Sequence, residues 1–387
     1  MSPQQQITQA AQMTPQQVLD KAAELESKGD VQQAIAFYRF LISMDPGDGR
    51  ALFRLGNLLL SNNMPKECLP YYRVLVELNP NYAPGRINFS IAFKKLGRLN
   101  KAIEQLQAVV DQDPDNLAAW QQLADSQRTA ENLPEALVAF KRWLELAPDD
   151  AKAAHMVKSV EAFLDGNNAG PDRADDKYVA SYFDQYAKTF DSHTASVLRY
   201  QGPKILKQVS AQAGLLDGDK RDVLDLGCGT GLCGEFLAPN ASRLDGIDLS
   251  PVMLEEAGKK GIYNELIEGE LVSAMEGLEE NSYDLAVAGD VFCYIGALED
   301  TFAQVARLVR PQGGFLFTVE SMTYNEVDAG AVDHILRHSG RYAQHRDYIE
   351  RLAAEHGFDV MQITNETLRL EYGKPIAGWM VLLQRLA

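Results

Sequence analysis

The stretch 223–231 reads Val-Leu-Asp-Leu-Gly-Cys-Gly-Thr-Gly. Its first four residues predict a short buried strand. Gly227, Gly229 and Gly231 predict a bend that opens into a helix near Leu232. Glycines between a strand and a helix permit positive φ and let a ligand approach bare backbone. The spacing G-x-G-x-G is shorter than the G-x-G-x-x-G of dinucleotide sites. Asp248 follows seventeen residues after Gly231, at the end of a second strand pattern that begins at Arg243. An acid at that point of a β-α-β unit accepts hydrogen bonds from two ribose hydroxyls. Glu270, with Leu271 after it, follows a third strand-like run, 263–267. It is placed either to meet an exocyclic amine on an adenine or to be one more solvated acid beside Glu265, Glu268 and Glu276. A fourth strand pattern, 283–290, ends in Asp290, and Tyr294 follows. These two are the polar groups best placed to face a second substrate at the carboxyl ends of the strands. Asp225, at the end of the first strand, either accepts from the glycine bend or receives a ligand's amino group.

Glycine bend, ribose acid, base-contacting acid and fourth strand end, in that order, resemble the class I S-adenosylmethionine-dependent methyltransferases over about 173–387. The resemblance implies an α/β domain built on a doubly wound, seven-stranded sheet, with S-adenosyl-L-methionine as cofactor. It implies contacts to that cofactor from Asp225, Gly227, Cys228, Gly229 and Gly231, from Asp248, Leu249 and Met253, and from Glu270, Leu271, Asp290 and Val291. Upstream, Tyr178, Tyr182, Tyr186 and Phe190 recur every four residues, one stripe of a helix. The stripe packs on the sheet or, as the resemblance implies, folds over the cofactor with Tyr178 and Tyr186 closing the pocket. Beyond the fifth strand, 315–320, lies an insertion, 321–345. Its Ser339-Gly-Arg-Tyr342 run resembles a substrate-side loop, which adds Tyr342 and His345 to Asp290 and Tyr294 as catalytic candidates. In that loop a histidine is expected at Gln344 and stands instead one place on, at His345. Many relatives carry a histidine where Tyr294 stands. Arg369, in the hairpin joining the last two strands (358–364 and 378–386), is expected to return towards the substrate mouth. The reaction is an in-line displacement on a methyl group already activated by a sulfonium, so its chief requirement is alignment. A base is needed only where the acceptor must shed a proton.

The elements ahead of this domain are of another kind. Proline recurs at 46, 80, 114 and 148, a period of 34. In phase with it stand Ala34, Cys68, Ala102 and Ala136, and earlier in each unit Ala22, Gly56, Ser90 and Ala124. Small residues at fixed phase let paired helices approach closely, and the proline stops the second helix. The pattern resembles four tetratricopeptide repeats over 15–148, an α-solenoid, with 151–164 as the helix capping the last open face. The Phe183-to-Asp191 run and the 339–342 loop together resemble bacterial fusions of these two domains. Such a solenoid presents a groove for a protein, a peptide or a carrier-bound substrate, with Asn57, Arg86, Asn88 and Arg128 among its groove-facing positions.

The expected organisation is a flexible tail at 1–14, repeats with their cap at 15–165, a breaker-rich linker at 166–174 and the transferase domain at 175–387. Net charge is −17, with 37 Lys+Arg against 54 Asp+Glu. Residues 1–165 hold 17 and 20 of these and 166–387 hold 20 and 34, so the second half carries −14. A field of that sign repels phosphate backbones and anionic lipid, which disfavours a nucleic-acid substrate; the methyl acceptor is expected to be a small molecule, a peptide or a protein. Cys68, Cys228, Cys233 and Cys293 are too scattered for a disulfide framework or a metal site, and His334, His338 and His345 match no metal-ligand spacing. With neither a leader-like start nor a membrane-length apolar run, the expected location is the cytoplasm.

Overall fold

In a computed structural model of the chain, residues 13–166, 170–194, 198–323, 326, 333–371 and 373–387 are described. Most of the expected tail, 1–12, lies outside them, as do 167–169 of the expected linker. Two compact units divide in sequence at Ala153/Ala154. That point falls inside the helix Ala151–Leu164, ahead of the boundary expected at 165/166.

The first unit is a run of antiparallel helix pairs: Pro15–Ser27 with Val31–Met44, Gly49–Ser61 with Pro65–Leu78, Ala83–Lys95 with Leu99–Gln112, and Leu117–Thr129 with Leu133–Leu146. Each second helix stops two residues before one of the four periodic prolines, because proline supplies no N–H and disfavours helix in the residue before it. Thr14, inside the expected tail, caps the first helix through a reciprocal capping box with Gln17. The small residues lie where helices meet. Ala22, Ala34, Cys68, Ala102, Ala124 and Ala136 are fully buried. A methyl group on Gly56 would lie 2.7 Å from the Tyr72 ring. That ring is itself enclosed, with its hydroxyl donating to Asn57 Oδ1 at 2.6 Å. Asn88 Nδ2 donates to the same oxygen at 2.8 Å.

The second unit is a seven-stranded sheet: β1 (Arg221–Leu226), β2 (Ala241–Asp248), β3 (Glu265–Glu268), β4 (Tyr283–Ala288), β5 (Val309–Glu320), β8 (Phe358–Glu371) and β9 (Lys374–Arg385). The strands lie in the order β3-β2-β1-β4-β5-β9-β8. The first five are parallel, and β9 runs antiparallel to both its neighbours. Both faces are covered, as a parallel sheet requires. Leu224 and Leu226 face the side of Phe302, Val305, Ile349 and Leu352; Val223 faces Ile205, Leu206 and Val209. Strand order reverses between β1 and β4, so a crevice opens at their carboxyl ends.

Several elements differ from expectation in length rather than kind. The helix expected near Leu232 is one turn, Gly234–Leu237, because three left-handed glycines delay its start. The insertion holds an unforeseen hairpin, β6 (His334–Leu336) with β7 (Tyr342–Gln344). β8 runs seven residues beyond its expected end at Thr364. Register shifts between Val360 and Gln362, and between Thr367 and Arg369, re-aim its side chains.

Gly56→Ala should destabilise the repeat unit by about 1–3 kcal/mol, because its methyl meets a ring that cannot move aside. Urea unfolding followed by helical circular dichroism checks this, and pairing it with Tyr72→Leu should recover part of the loss.

Candidate active site

The glycine bend begins where β1 ends. Gly227, Gly229 and Gly231 all have positive φ, at 61°, 55° and 86°. Their environments differ. A methyl group on Gly227 would lie 2.5 Å from Val291, and one on Gly231 would lie 3.0 Å from Tyr263, whereas nothing stands within 4 Å of one on Gly229. The bend is closely packed on two sides and bare at its middle, where it lines a pocket.

Asp248, the last residue of β2, lies beside that opening. Its Oδ2 accepts from the Gly229 N–H at 2.8 Å and its Oδ1 from the Ser250 N–H at 2.9 Å. Burial raises its pKa, and the N–H bonds partly offset the shift. Ser250 caps the helix Pro251–Lys259 and donates its hydroxyl to Asp184 Oδ1 at 2.6 Å. The helix Asp176–Tyr186 is tied to the rim through that bond.

Tyr182, Phe183, Tyr186 and Phe190 wall the pocket, together with Tyr294, whose ring meets Phe183 edge-on at 5.5 Å. Tyr178 turns the other way. It stacks on His155 at 4.4 Å and does not line the pocket. Leu249, Met253, Glu270, Leu271 and Val291 do line it. Glu270 is half-buried and engaged: it caps the helix Leu271–Glu276 and pairs with Arg173 at 2.8 Å.

Asp225 and Cys228 lie behind the bend. Asp225 is 1% exposed and accepts from the Tyr263 hydroxyl at 2.7 Å. Burial, with the Asp248 charge adding to it, pushes its carboxyl up to about 7. The Cys228 sulfur fills the space above Gly246, and burial holds its thiol protonated.

At the far end of the pocket stands Asp290, with φ at 62° and its N–H donating to Thr318 Oγ1 at 2.9 Å. Its carboxylate pairs with Arg369, which is 1% exposed and also grips Glu320 and, at 3.4 Å, Glu371. Arg341 pairs with Glu371 and lies 5.8 Å from the Tyr294 ring centre. Arg337 continues the network to Glu320 and Glu326, each at 2.8 Å. A buried charge is tolerable only when paired in this way. Tyr200 joins this wall with a fully enclosed hydroxyl that has no hydrogen-bond partner among the described residues.

Of the four residues read as catalytic candidates, Asp290 and Tyr294 line the pocket and Tyr342 and His345 do not. Tyr342 is fully buried and donates to Pro171 O. His345 caps the helix Arg346–Glu355, its Nδ1 accepting from the Asp347 N–H at 3.0 Å. Gln344, where a histidine was expected, points inward and donates to Ile295 O at 2.8 Å, bracing the turn that carries Tyr294. The sequence reading passed over Arg173 and Tyr200, and it met Arg341 only as part of a loop. Nothing in the sequence marks Tyr200.

Among the described residues no three His, Cys, Asp or Glu side chains converge as a metal would need, and no helix is long and apolar enough to cross a membrane.

Comparison with known proteins agrees with both halves. A family profile described as a methyltransferase domain matches residues 224–317, and two tetratricopeptide-repeat profiles match 19–83 and 93–160. Protein FlbA of Caulobacter vibrioides is 28% identical over 130 residues, 34% of this chain and 22% of that protein. The malonyl-[acyl-carrier protein] O-methyltransferase of Acetivibrio thermocellus is 29% identical over 159 residues, 40% of this chain and 53% of that one. The chain therefore spans only about a fifth to a half of the length of these relatives. Among solved structures, magnesium protoporphyrin IX methyltransferase from Synechocystis PCC 6803, with bound SAH, aligns over 55% of this chain and all of that one, at 15% identity and a TM-score of 0.42.

The Asp225 carboxyl gives a test of the site's electrostatics. Its folded pKa of about 7 lies above the ordinary aspartate value of 3.8. Its contribution to stability is complete below about pH 4 and is lost as pH rises towards 7. Between pH 4 and pH 7 the wild type should lose stability, on the order of a few kcal/mol, that Asp225→Asn does not lose. Urea midpoints across that range check it.

Fold, repeats and profile matches agree: the chain joins helix pairs that match tetratricopeptide-repeat profiles to a seven-stranded α/β unit that matches a methyltransferase-domain profile, and S-adenosylmethionine is the cofactor of such domains.

Proposed function

We propose that the second unit transfers a methyl group from S-adenosylmethionine to an acceptor at the Asp290 end of the pocket, and that the repeats hold a protein, a peptide or a carrier-bound substrate. The observation that carries this reading is the pairing of bare backbone at Gly229 with the Asp248 carboxylate on one pocket wall. Each oxygen of that carboxylate accepts one backbone N–H and keeps capacity for a further donor, as a ribose diol requires. The bare α-carbon of Gly229 leaves room that any side chain would take.

When bound, the cofactor supplies a methyl group activated by a positively charged sulfur. The chain's own residues then have three tasks. Asp248 and the bend fix the nucleoside end. Tyr182, Tyr186 and Phe190 exclude water from the reacting centre, which strengthens every electrostatic contact inside it. Arg369 fixes Asp290 by one carboxylate oxygen, so that group faces the acceptor in a single orientation. The Asp290 carboxyl sits above its ordinary pKa because of burial, with Arg369 and Arg341 opposing the shift. It is the group placed to take a proton from an acceptor that must lose one.

Isothermal titration calorimetry of the full chain with S-adenosylmethionine tests the reading. Micromolar binding is expected, and Asp248→Ala should weaken it by about 1–3 kcal/mol through the lost hydrogen bonds. Unchanged affinity in that variant removes Asp248 from the site, and absence of any binding removes the cofactor assignment.

A further inference from the structure

The segment 170–174 precedes the α/β fold, and the sequence reads it as linker, yet it is stitched along the pocket rim. The Ala174 N–H donates to Tyr294 O at 2.9 Å. The N–H groups of Gly296 and Ala297 both donate to Asp172 O, at 2.7 and 2.9 Å. Arg173 forms an antiparallel bridge with Ile295. This pairing fixes the backbone of Arg173 relative to the rim, and its side chain lines the pocket. One guanidinium nitrogen pairs with Glu270 Oε1 at 2.8 Å, and the other pairs with Asp176.

The second oxygen of Glu270 is also committed. Oε2 accepts from the N–H and the hydroxyl of Ser273, at 3.0 and 3.2 Å. The carboxylate is thus held from both sides, with its side chain 14% exposed on the pocket wall. The Ser273 and Val272 N–H groups and the Arg173 charge hold its pKa below the usual value against the effect of burial. An ionised carboxylate accepts hydrogen bonds and donates none. A fixed acceptor on the wall of a nucleoside pocket matches the exocyclic amine of adenine and opposes the carbonyl that hypoxanthine carries in its place.

We propose that Arg173 is a positioning residue for base recognition: by holding Glu270 in one orientation it sets the preference of the pocket for adenine over hypoxanthine. The segment ahead of the catalytic fold is then part of the cofactor site. A salt bridge this exposed adds little stability of its own, so the effect of Arg173 is one of orientation. The inference rests on the S-adenosyl reading proposed above.

The test is calorimetry of the full chain with two probes, S-adenosylhomocysteine and its deaminated analogue S-inosylhomocysteine. The wild type should bind the adenosyl probe at least tenfold more tightly. Arg173→Ala should reduce that ratio at least threefold, mainly by weakening the adenosyl probe, and Arg173→Lys should restore part of it. Glu270→Gln, whose amide can also donate, should lower the ratio further. A merely structural segment gives a different result: Arg173→Ala weakens both probes equally, and the proposal falls while the cofactor assignment stands. An unchanged ratio with both probes bound overturns it in the same way. Failure of the wild type to bind either probe overturns the cofactor assignment as well.

Discussion

The second unit depends on a carboxylate held by backbone. Asp248 ends β2 and accepts from the N–H of Gly229, so the bend that follows β1 is tied to its neighbouring strand at the pocket wall. The same carboxylate accepts from Ser250, which starts the next helix and bonds to Asp184 of the helix that walls the pocket. Bend, helix start and the helix Asp176–Tyr186 are thus joined by one short chain of hydrogen bonds. Such a chain is costly to leave unsatisfied in a buried setting, which is why it specifies geometry as well as adding stability.

The opposite wall is built on a different principle. There a guanidinium from the edge strand β8 reaches carboxylates at the ends of β4 and β5. Arg369 spans three separate stretches of chain, and two further arginines complete the pairing. The Asp248 side of the pocket is held by main-chain donors. The Asp290 side is held by charges buried together, and a buried charge that loses its partner is left uncompensated.

Much of this was legible from residue spacing. Four prolines at a period of 34 fix the helix pairs, because each repeat must stop its second helix at the same phase, and the small residues between them mark the contacts. The glycine bend and Asp248 are local features of one β-α-β unit, so sequence distance alone brings them together. What escaped the reading depends on contacts between distant positions. Arg369 is expected at the substrate mouth and does line the pocket, but its partners are not read: it meets Asp290 across 79 residues and Glu320 across 49. Its direction is decided by a register shift in β8 that no hydrophobic pattern announces. Tyr178 belongs to the same helical stripe as Tyr186, yet His155 draws it out of the pocket wall. The segment around Arg173 reads as breaker-rich linker because its order comes from pairing with the turn after β4 rather than from its own composition.

A crystal structure of the full chain soaked with S-adenosylhomocysteine tests the central claim most directly. The account predicts density for an adenosyl group over Gly229, with both ribose hydroxyls within hydrogen-bond distance of Asp248 and the sulfur directed towards Asp290. Density elsewhere, or a ribose turned away from Asp248, would contradict it.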